Sequence, residues 1–161
     1  MVTLRKITLD NRRELFSLKV SADQLRFVAS NLSSIATCYI LVSNGGNPLP
    51  FAIYADEQMV GFVLIVYGIT SYELPQIAKD NNTYSVLRLM IDEKYQQMGY
   101  GREAMRKVLE YIRTFPVGPA ECCWIPYVSS NITAKKFYES FGFRDNGEKI
   151  DENELVTVLK L

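Results

Sequence analysis

A nearly continuous apolar segment in the middle of the chain most constrains the fold. Residues 86–91 read Val-Leu-Arg-Leu-Met-Ile and are bounded by polar residues. A strand buried on both faces has this pattern, so we predict a central strand of a sheet. Apolar residues at helical spacing then predict an amphipathic helix over about residues 101–114. These residues are Ala104, Met105, Val108, Leu109 and Ile112.

A second strand and helix follow in the same order. Residues 122–128 predict a strand, and a helix with an apolar face comes after it and ends at Gly142. Alternating or apolar segments predict further strands at 2–9, 51–54, 59–69, 143–149 and 155–161, with two short helices between 11 and 32. Residues 70–82 predict a surface loop with one helical turn near 74–78. The sequence therefore predicts one α/β domain over residues 1–161, a mixed sheet with helices on its faces.

Charge and hydropathy exclude several classes of protein. Lys and Arg together number 18, as do Asp and Glu, so the chain lacks the positive field of a general nucleic-acid binder. The longest apolar run, residues 59–67, is far shorter than the roughly 20 residues that span a bilayer. The first residues have no apolar signal core, which predicts a cytoplasmic protein with no membrane association.

The chain contains no histidine. This excludes Ser-His-Asp and Cys-His catalysis and imidazole ligation of a metal, and we expect no metal cofactor. Cys38, Cys122 and Cys123 are odd in number and two are adjacent, so we interpret them as core thiols. Tyrosine, carboxylate, backbone or water must therefore carry the chemistry.

A turn with two glycines, residues 96–102 (Gln-Gln-Met-Gly-Tyr-Gly-Arg, hereafter the glycine turn), joins the central strand to its helix. Glycine lets the backbone approach a ligand, and free N–H groups at a helix start bind phosphate, so the turn resembles a phosphate site in outline. Arg102 adds a cation that can contact the same phosphates. The alternative is a tight turn with a solvated arginine.

Two other phosphate motifs fit the glycine turn less well. A P-loop needs Gly-Lys-Ser/Thr, which is absent. Residues 99–104 match the loose dinucleotide fingerprint, and Glu121 lies about 20 residues further on. However, Glu121 begins the second strand instead of ending it, and the glycines follow the apolar strand only after six or more residues. We therefore disfavour a nicotinamide site.

Two motifs resemble those of the GNAT superfamily of N-acetyltransferases. Residues 89–91 followed by 95–101 (Tyr-Gln-Gln-Met-Gly-Tyr-Gly) resemble its acetyl-CoA motif, Arg/Gln-x-x-Gly-x-Gly/Ala. Residues 131–143 (Asn-Ile-Thr-Ala-Lys-Lys-Phe-Tyr-Glu-Ser-Phe-Gly-Phe) resemble its second motif, Asn-x-x-Ala-x-x-Phe/Leu-Tyr followed by Gly-Phe. The order of strands and helices agrees, so the resemblance covers nearly the whole chain. It implies one central, mixed and mostly antiparallel sheet of about seven strands, flanked by about four helices.

Shorter segments resemble the bacterial spermine/spermidine acetyltransferases within this superfamily. They are Val20-Ser21 with Gln24, residues 27–31, 50–54, 59–62 and 90–92, and Gly147-Glu148. Two features depart from that branch. Gln97-Met98 stands where relatives commonly have Gly-Lys, which removes a cation from the phosphate site, and the loop over 68–82 is longer. The resemblance implies an acetyl-CoA-dependent transfer of acetyl to a primary amine, with a polyamine as the favoured acceptor.

The resemblance also implies roles for individual residues. Backbone groups around Leu89, Met90 and Ile91 pair with the pantetheine arm, where two parallel strands splay apart. The glycine turn holds the pyrophosphate, through Gln96, Gln97, Met98, Gly99, Tyr100, Gly101 and Arg102. Asn131 either caps its helix or bonds the CoA arm. Tyr138 is the general acid that protonates the departing thiolate, although periodicity alone would place it in the core.

The acceptor side of the site is less defined by the sequence. Glu73, in the long loop, is the candidate for contact with the substrate. Four acids, Glu57, Glu73, Asp92 and Glu93, are candidates for a base, and the alternative for each is a solvated surface acid. Ser85 lies roughly where some relatives carry a glutamate base, so the sequence assigns no base. Trp124 and Tyr127 either line the acceptor site or belong to the core. Another amine acceptor (a protein N-terminus, an amino acid or an antibiotic) and a CoA-binding module without turnover remain alternatives, and a homodimer is left open.

Overall fold

A computed structural model describes residues 1–68, 74–80 and 82–161. Its strands are β1 (Val2–Lys6), β2 (Asn47–Ala55), β3 (Gln58–Tyr67), β4 (Tyr84–Ile91), β5 (Cys122–Val128), β6 (Arg144–Lys149) and β7 (Glu154–Lys160). Its α-helices are α1 (Arg12–Ser17), α2 (Asn31–Ser43), α3 (Gln76–Asp80), α4 (Tyr100–Ile112) and α5 (Ile132–Glu139). Short 3₁₀ helices cover Ala22–Gln24 and Glu93–Tyr95.

The strands form a single sheet in the order β1-β2-β3-β4-β5-β7-β6. Among the strand pairs of the described residues, only β4–β5 is parallel, and the other neighbours are antiparallel. The predicted mixed, mostly antiparallel sheet of seven strands is confirmed. The described residues contain five α-helices, where about four were predicted, because the segment over 76–80 completes a short helix of its own.

The region between β1 and β2 differs from the sequence prediction. The pattern over residues 22–32 predicted a second short helix there, but the structure has a single 3₁₀ turn followed by α2, which begins at Asn31. The Ser30 side chain accepts a hydrogen bond from the Ser33 N–H, and this cap fixes the start of the helix. α2 has no charged residue and leaves four apolar side chains exposed: Leu32, Tyr39, Ile40 and Val42. Its sequence therefore lacks the alternation of apolar and polar residues at helical spacing that predicts an amphipathic helix.

The sheet separates two apolar layers. On one face, side chains of β3 and β4 such as Val63 and Val86 pack with Met105 and Val108 of α4. On the other face, Phe62 and Leu64 of β3 pack with Leu15 of α1 and Cys38 of α2, among others. All three cysteines are free and buried. Both layers hold β4 in place, which fixes the strand that the glycine turn follows.

β4 and β5 separate after two residue pairs. Tyr84 lies opposite Cys123 and Ser85 opposite Trp124, and no further β4–β5 pair forms in the described chain. On its other side β4 stays paired with β3 as far as Ile91. This pairing contains a β-bulge on β4, because Leu64 lies opposite Arg88 while the next residue, Ile65, lies opposite Val86. The rest of the β4 edge that faces β5 is therefore left without a strand partner, and a cleft opens between the two strands.

Gly61 of β3 sets how closely β3 and β4 approach beside this cleft. A Cβ at position 61 would overlap the Met90 carbonyl oxygen and lie 2.8 Å from Cδ1 of Ile91. We expect Gly61→Ala to lower the free energy of unfolding by about 3 kcal/mol, since backbone cannot yield as a flexible side chain does. Urea unfolding of both proteins measures the change, and an unchanged midpoint would show that β3 and β4 can move apart freely.

Candidate active site

A cavity of about 440 Å³, called here the large cavity, lies between β4 and α5. β4, the glycine turn, α5 and the 3₁₀ turn at Ala22–Gln24 all contribute to its walls. Eight residues implicated by the sequence line it: Leu89, Met90, Ile91, Gln96, Gln97, Gly101, Asn131 and Tyr138. The other four, Met98, Gly99, Tyr100 and Arg102, lie on the adjoining part of the glycine turn and on the first turn of α4.

A second cavity of about 110 Å³, the small cavity, lies beside the large one between β4 and β5. Leu89, Asn131 and Tyr138 line both cavities. Arg88 and Glu154 line only the small one. Phe27, Val28 and Ala134 also line both, so the two cavities share six residues and meet at the point where the strands have separated.

The glycine turn ends in a helix start without a side-chain cap. Gly99 has φ +84°, which favours glycine, and Gln97 also has a positive φ of 63°. The Glu103 N–H donates to the Gly99 carbonyl oxygen at 3.1 Å, so the N–H groups of Tyr100, Gly101 and Arg102 have no helical partner. Free N–H groups at the positive end of a helix suit a pyrophosphate.

Two side chains of the glycine turn contact other parts of the protein. Gln96 Nε2 donates to the Ile91 carbonyl oxygen at 2.9 Å and to Gln24 Oε1 at 2.8 Å. Gln24 Nε2 also lies within hydrogen-bonding distance of Gln96 Oε1, at 3.3 Å. The Gln96 amide therefore braces the turn against β4 and the Ala22–Gln24 segment. The Arg102 guanidinium lies over the Phe141 ring, 5.4 Å from its centroid, and Met98 is 60% exposed.

The Tyr138 ring packs against other aromatic rings, while its hydroxyl forms no hydrogen bond with a described residue. The ring contacts those of Phe137 and Phe143, with centroids 5.5 and 6.1 Å away. Burial raises the pKa of Tyr138 to about 12, so the hydroxyl keeps its proton at neutral pH. In the described structure that hydroxyl has no hydrogen-bond partner. A protonated, unengaged donor therefore lies where the two cavities meet.

Tyr127 shows the contrasting arrangement in the same small cavity. Its hydroxyl donates to Asp145 Oδ1 at 2.9 Å, and burial together with this bond raises its pKa to about 12. Its proton is therefore already engaged. Trp124, the other aromatic candidate, is buried in the core with its Nε1 donating to Thr83 Oγ1 at 3.0 Å.

Asn131 caps α5, since its Oδ1 accepts from the Ala134 N–H at 3.0 Å. The cap uses the carbonyl oxygen and leaves the side-chain NH₂ group available, and the residue lines both cavities. Capping and a contact with a ligand are therefore compatible at this position.

Three of the acids considered from the sequence are held by other protein groups. Glu57 forms an exposed ion pair with Arg5 at 3.0 Å, and Glu93 pairs with the Lys19 ammonium at 3.3 Å. The buried Asp92 carboxylate accepts from the N–H groups of Lys19 and Lys94. None of the three lines either cavity. Glu73 lies outside the described residues.

Two residues at the site were missed by the sequence analysis. Glu154 lines the small cavity, but in the sequence it only follows the acidic turn at 151–153 and looks like part of it. Gln24 was mentioned only as one of the residues shared with the acetyltransferase branch, and no role was predicted for it. Its contact with Gln96 spans 72 residues of sequence, so no local pattern indicates it. Ser85 is buried, and no described residue forms a hydrogen bond with its Oγ.

The ranges 1–68, 74–80 and 82–161 contain no group of three or more Cys, Asp or Glu side chains that could hold a metal ion. No helix within them is long and apolar enough to cross a bilayer.

Comparison with known proteins decides the family. Residues 17–143 match the family model described as Acetyltransferase (GNAT) family. The chain belongs to this family. The resemblance predicted from the two motifs is thereby confirmed, and the protein is an acetyl-CoA-dependent N-acyltransferase.

Relatives of this acetyltransferase cover its full length. It is 27% identical over 165 residues to the spermine/spermidine N(1)-acetyltransferase of Bacillus subtilis strain 168, covering 99% of each chain. The spermidine N-acetyltransferase of Vibrio cholerae, solved with CoA and spermine, superimposes with a TM-score of 0.69 at 15% identity, over 99% of this chain and 95% of that one. An aminoglycoside acetyltransferase solved with coenzyme A has a TM-score of 0.75 at 16% identity, with the same coverage. The two structural likenesses show a shared fold.

Proposed function

We propose that this acetyltransferase moves the acetyl group of acetyl-CoA to a primary amine of a polyamine such as spermine or spermidine, with Tyr138 as general acid. The observation that carries the proposal is the free, protonated Tyr138 hydroxyl, which lies where the two cavities meet and beside the β4 edge that has no strand partner. The proposal treats residues 1–161 as one acetyltransferase domain. A cytoplasmic location remains a prediction, and a homodimer is left open.

The residues of the large cavity fit the CoA portion of the donor. The unpaired part of the β4 edge, at Leu89 to Ile91, offers backbone groups to the amide-bearing pantetheine arm. The free N–H groups at the start of α4 can donate hydrogen bonds to the oxygens of a pyrophosphate. The space beside Gly101 is open: a Cβ added there would contact only Cγ1 of Ile91, at 3.6 Å. Gln96 acts on the donor site indirectly, by bracing the turn.

The reaction needs one proton donor at the departing sulfur. The amine nitrogen attacks the thioester carbonyl carbon, the C–N bond forms, and the C–S bond breaks as the thiolate leaves. Tyr138 gives its proton to that sulfur, which avoids releasing a free thiolate in the cleft. Tyr138 is better suited than Tyr127, because the Tyr127 proton is engaged by Asp145.

Charge around the cavities favours a cationic acceptor. Among the described residues that line them, Asp23 and Glu154 are acids and Arg88 is the one cation. Neither acid forms an ion pair with a described residue. The name of the Bacillus subtilis relative, which matches along the whole chain, supports a polyamine within the class of cationic amines.

A panel of acceptors tests the proposed function. Purified protein is mixed with acetyl-CoA and with spermine, spermidine, simple monoamines, amino acids or a peptide N-terminus, and free thiol release is followed. We expect higher kcat/KM for spermine and spermidine than for the other acceptors. Turnover of amino acids or peptides with none of polyamines would contradict the polyamine acceptor, while turnover of no amine at all would contradict the activity.

A further inference from the structure

Glu154 is an unpaired carboxylate in the wall of the small cavity. It is half-buried, and no described residue donates a hydrogen bond to its side chain or forms an ion pair with it. Its backbone is fixed, because the Glu154 N–H donates to Asp151 Oδ1 at 2.8 Å, its carbonyl oxygen accepts from Ile150, and Glu154 lies opposite Val128 of β5. The rigid backbone presents an acid to the cavity that Tyr138 also lines.

The charged neighbours of Glu154 come from several elements. Arg88 of β4 lines the same cavity. Its Nε is buried and has no hydrogen-bond partner in the part of the chain that the structure describes, while its Nη1 donates to the Leu87 carbonyl oxygen at 2.6 Å. Asp151 lies in the turn that precedes β7. Tyr127 and Tyr138 line the same cavity. Glu154 is the one carboxylate among the described residues that line this cavity.

From this placement we propose that the Glu154 carboxylate accepts the proton that the acceptor's ammonium group loses before its nitrogen attacks the thioester. The inference rests on the proposed amine acetylation and adds its missing base. None of the acids suggested by the sequence at Glu57, Asp92 and Glu93 is available for this step, since each is engaged elsewhere. Arg88 assists, because a positive charge nearby favours the neutral amine over the ammonium ion.

The electrostatics of Glu154 suit a base. Burial, and then the charge of Asp151, raise its pKa above the ordinary value, and Arg88 opposes the shift. A raised pKa brings the carboxylate closer to the pH at which it works and strengthens it as a proton acceptor. The group must be ionised to act, so activity is lost as the pH falls through this raised pKa.

The protons balance over one turnover. The ammonium gives one proton to Glu154, and the neutral amine attacks the carbonyl carbon. The C–S bond breaks and the thiolate takes the Tyr138 proton. The tyrosinate recovers a proton from the newly bonded nitrogen, which becomes the amide, and Glu154 releases its proton to solvent. The products are the acetylated amine, the CoA thiol and one proton.

The pH dependence of Glu154→Gln tests the assignment. A polyamine nitrogen has a pKa near that of lysine, about 10.4, so almost all of it is ammonium at neutral pH. With Glu154 present, kcat/KM for spermidine should be level between the pKa of Glu154 and that of the amine. Without it, only the neutral amine reacts, so kcat/KM should be lowered about 10–100-fold near pH 7.5 and rise about tenfold per pH unit.

Controls separate this role from a structural one. Glu152→Gln, at an exposed acid in the turn that precedes β7, should keep the wild-type profile, and thermal melts should show all three proteins folded. A fluorinated primary amine that is already neutral at the assay pH should remove most of the difference between Glu154→Gln and wild type. A level profile in Glu154→Gln, or an equal loss with the neutral amine, would overturn the role of Glu154 while leaving the acetyltransferase activity established. Absence of wild-type turnover with every amine would overturn both.

Discussion

Tyr138→Phe is expected to lower kcat by about 10²–10⁴-fold while changing acetyl-CoA affinity by no more than about twofold, because general-acid assistance is lost and binding contacts remain. The substitution deletes one hydroxyl that has no hydrogen-bond partner among the described residues and keeps the ring that packs on Phe137 and Phe143. Stability should therefore hardly change. Steady-state kinetics and calorimetric titration of acetyl-CoA on the same preparation measure the two effects.

Tyr111→Phe is the matched control for this variant. Tyr111 is also a partly buried tyrosine with a pKa raised by burial, but it lies on α4 against Phe51 and outside both cavities. Its loss of a hydroxyl should leave kcat essentially unchanged. If Tyr138→Phe kept the wild-type kcat, Tyr138 would be a packing residue, as its position in the apolar stripe of α5 alone would suggest.

Gly101→Val is expected to weaken acetyl-CoA binding by about 100-fold or more while the protein stays folded. The added Cβ meets only Cγ1 of Ile91, at 3.6 Å, which is an ordinary contact, so the fold accommodates it. The two γ-methyl groups then occupy the space beside the free N–H groups of the α4 start. Loss of one or two hydrogen bonds to a charged phosphate, at about 1.5–3 kcal/mol each, accounts for an effect of this size.

Gly101→Ala provides a graded comparison. It adds only the Cβ, so it should weaken binding less than valine does, and both variants should melt close to the wild-type temperature. Calorimetric titration of acetyl-CoA gives the affinities. Wild-type affinity in a folded Gly101→Val protein would place the pyrophosphate site away from the glycine turn.

The sequence predicted the parts of the fold whose physics is local. The apolar run at β4 and the stripe of α4 each reflect burial along a single element, and both form within a few residues of the predicted bounds. The seven strands and a mixed sheet also follow from such patterns, whereas the mostly antiparallel pairing was implied by the family resemblance and the strand order is seen only in the structure. The position of α2 could not be predicted in this way, because its helix is apolar on faces that stay exposed, and Ser30 rather than periodicity sets its start.

The site was predictable where it depends on a motif and unpredictable where it depends on long-range pairing. The glycine turn and Tyr138 were identified from the sequence, and the structure brings Gly101 and Tyr138 to one cavity. Glu154 reaches the small cavity only because β7 pairs with β5, so no local pattern distinguishes it from the neighbouring turn acids. Gln96 is a motif residue, yet its side chain contacts Gln24 and the Ile91 carbonyl oxygen, which only the folded arrangement reveals.

The stoichiometry of the reaction tests the central claim most directly. Wild-type protein and Tyr138→Phe are incubated with acetyl-CoA and spermidine, and released thiol and acetylated spermidine are measured in the same samples, the latter by mass spectrometry. We predict one acetylated amine for each thiol released by the wild type, and the same ratio at a much lower rate in Tyr138→Phe. Thiol release without acetylated spermidine, or tight acetyl-CoA binding with no turnover, would contradict a polyamine acetyltransferase that uses Tyr138.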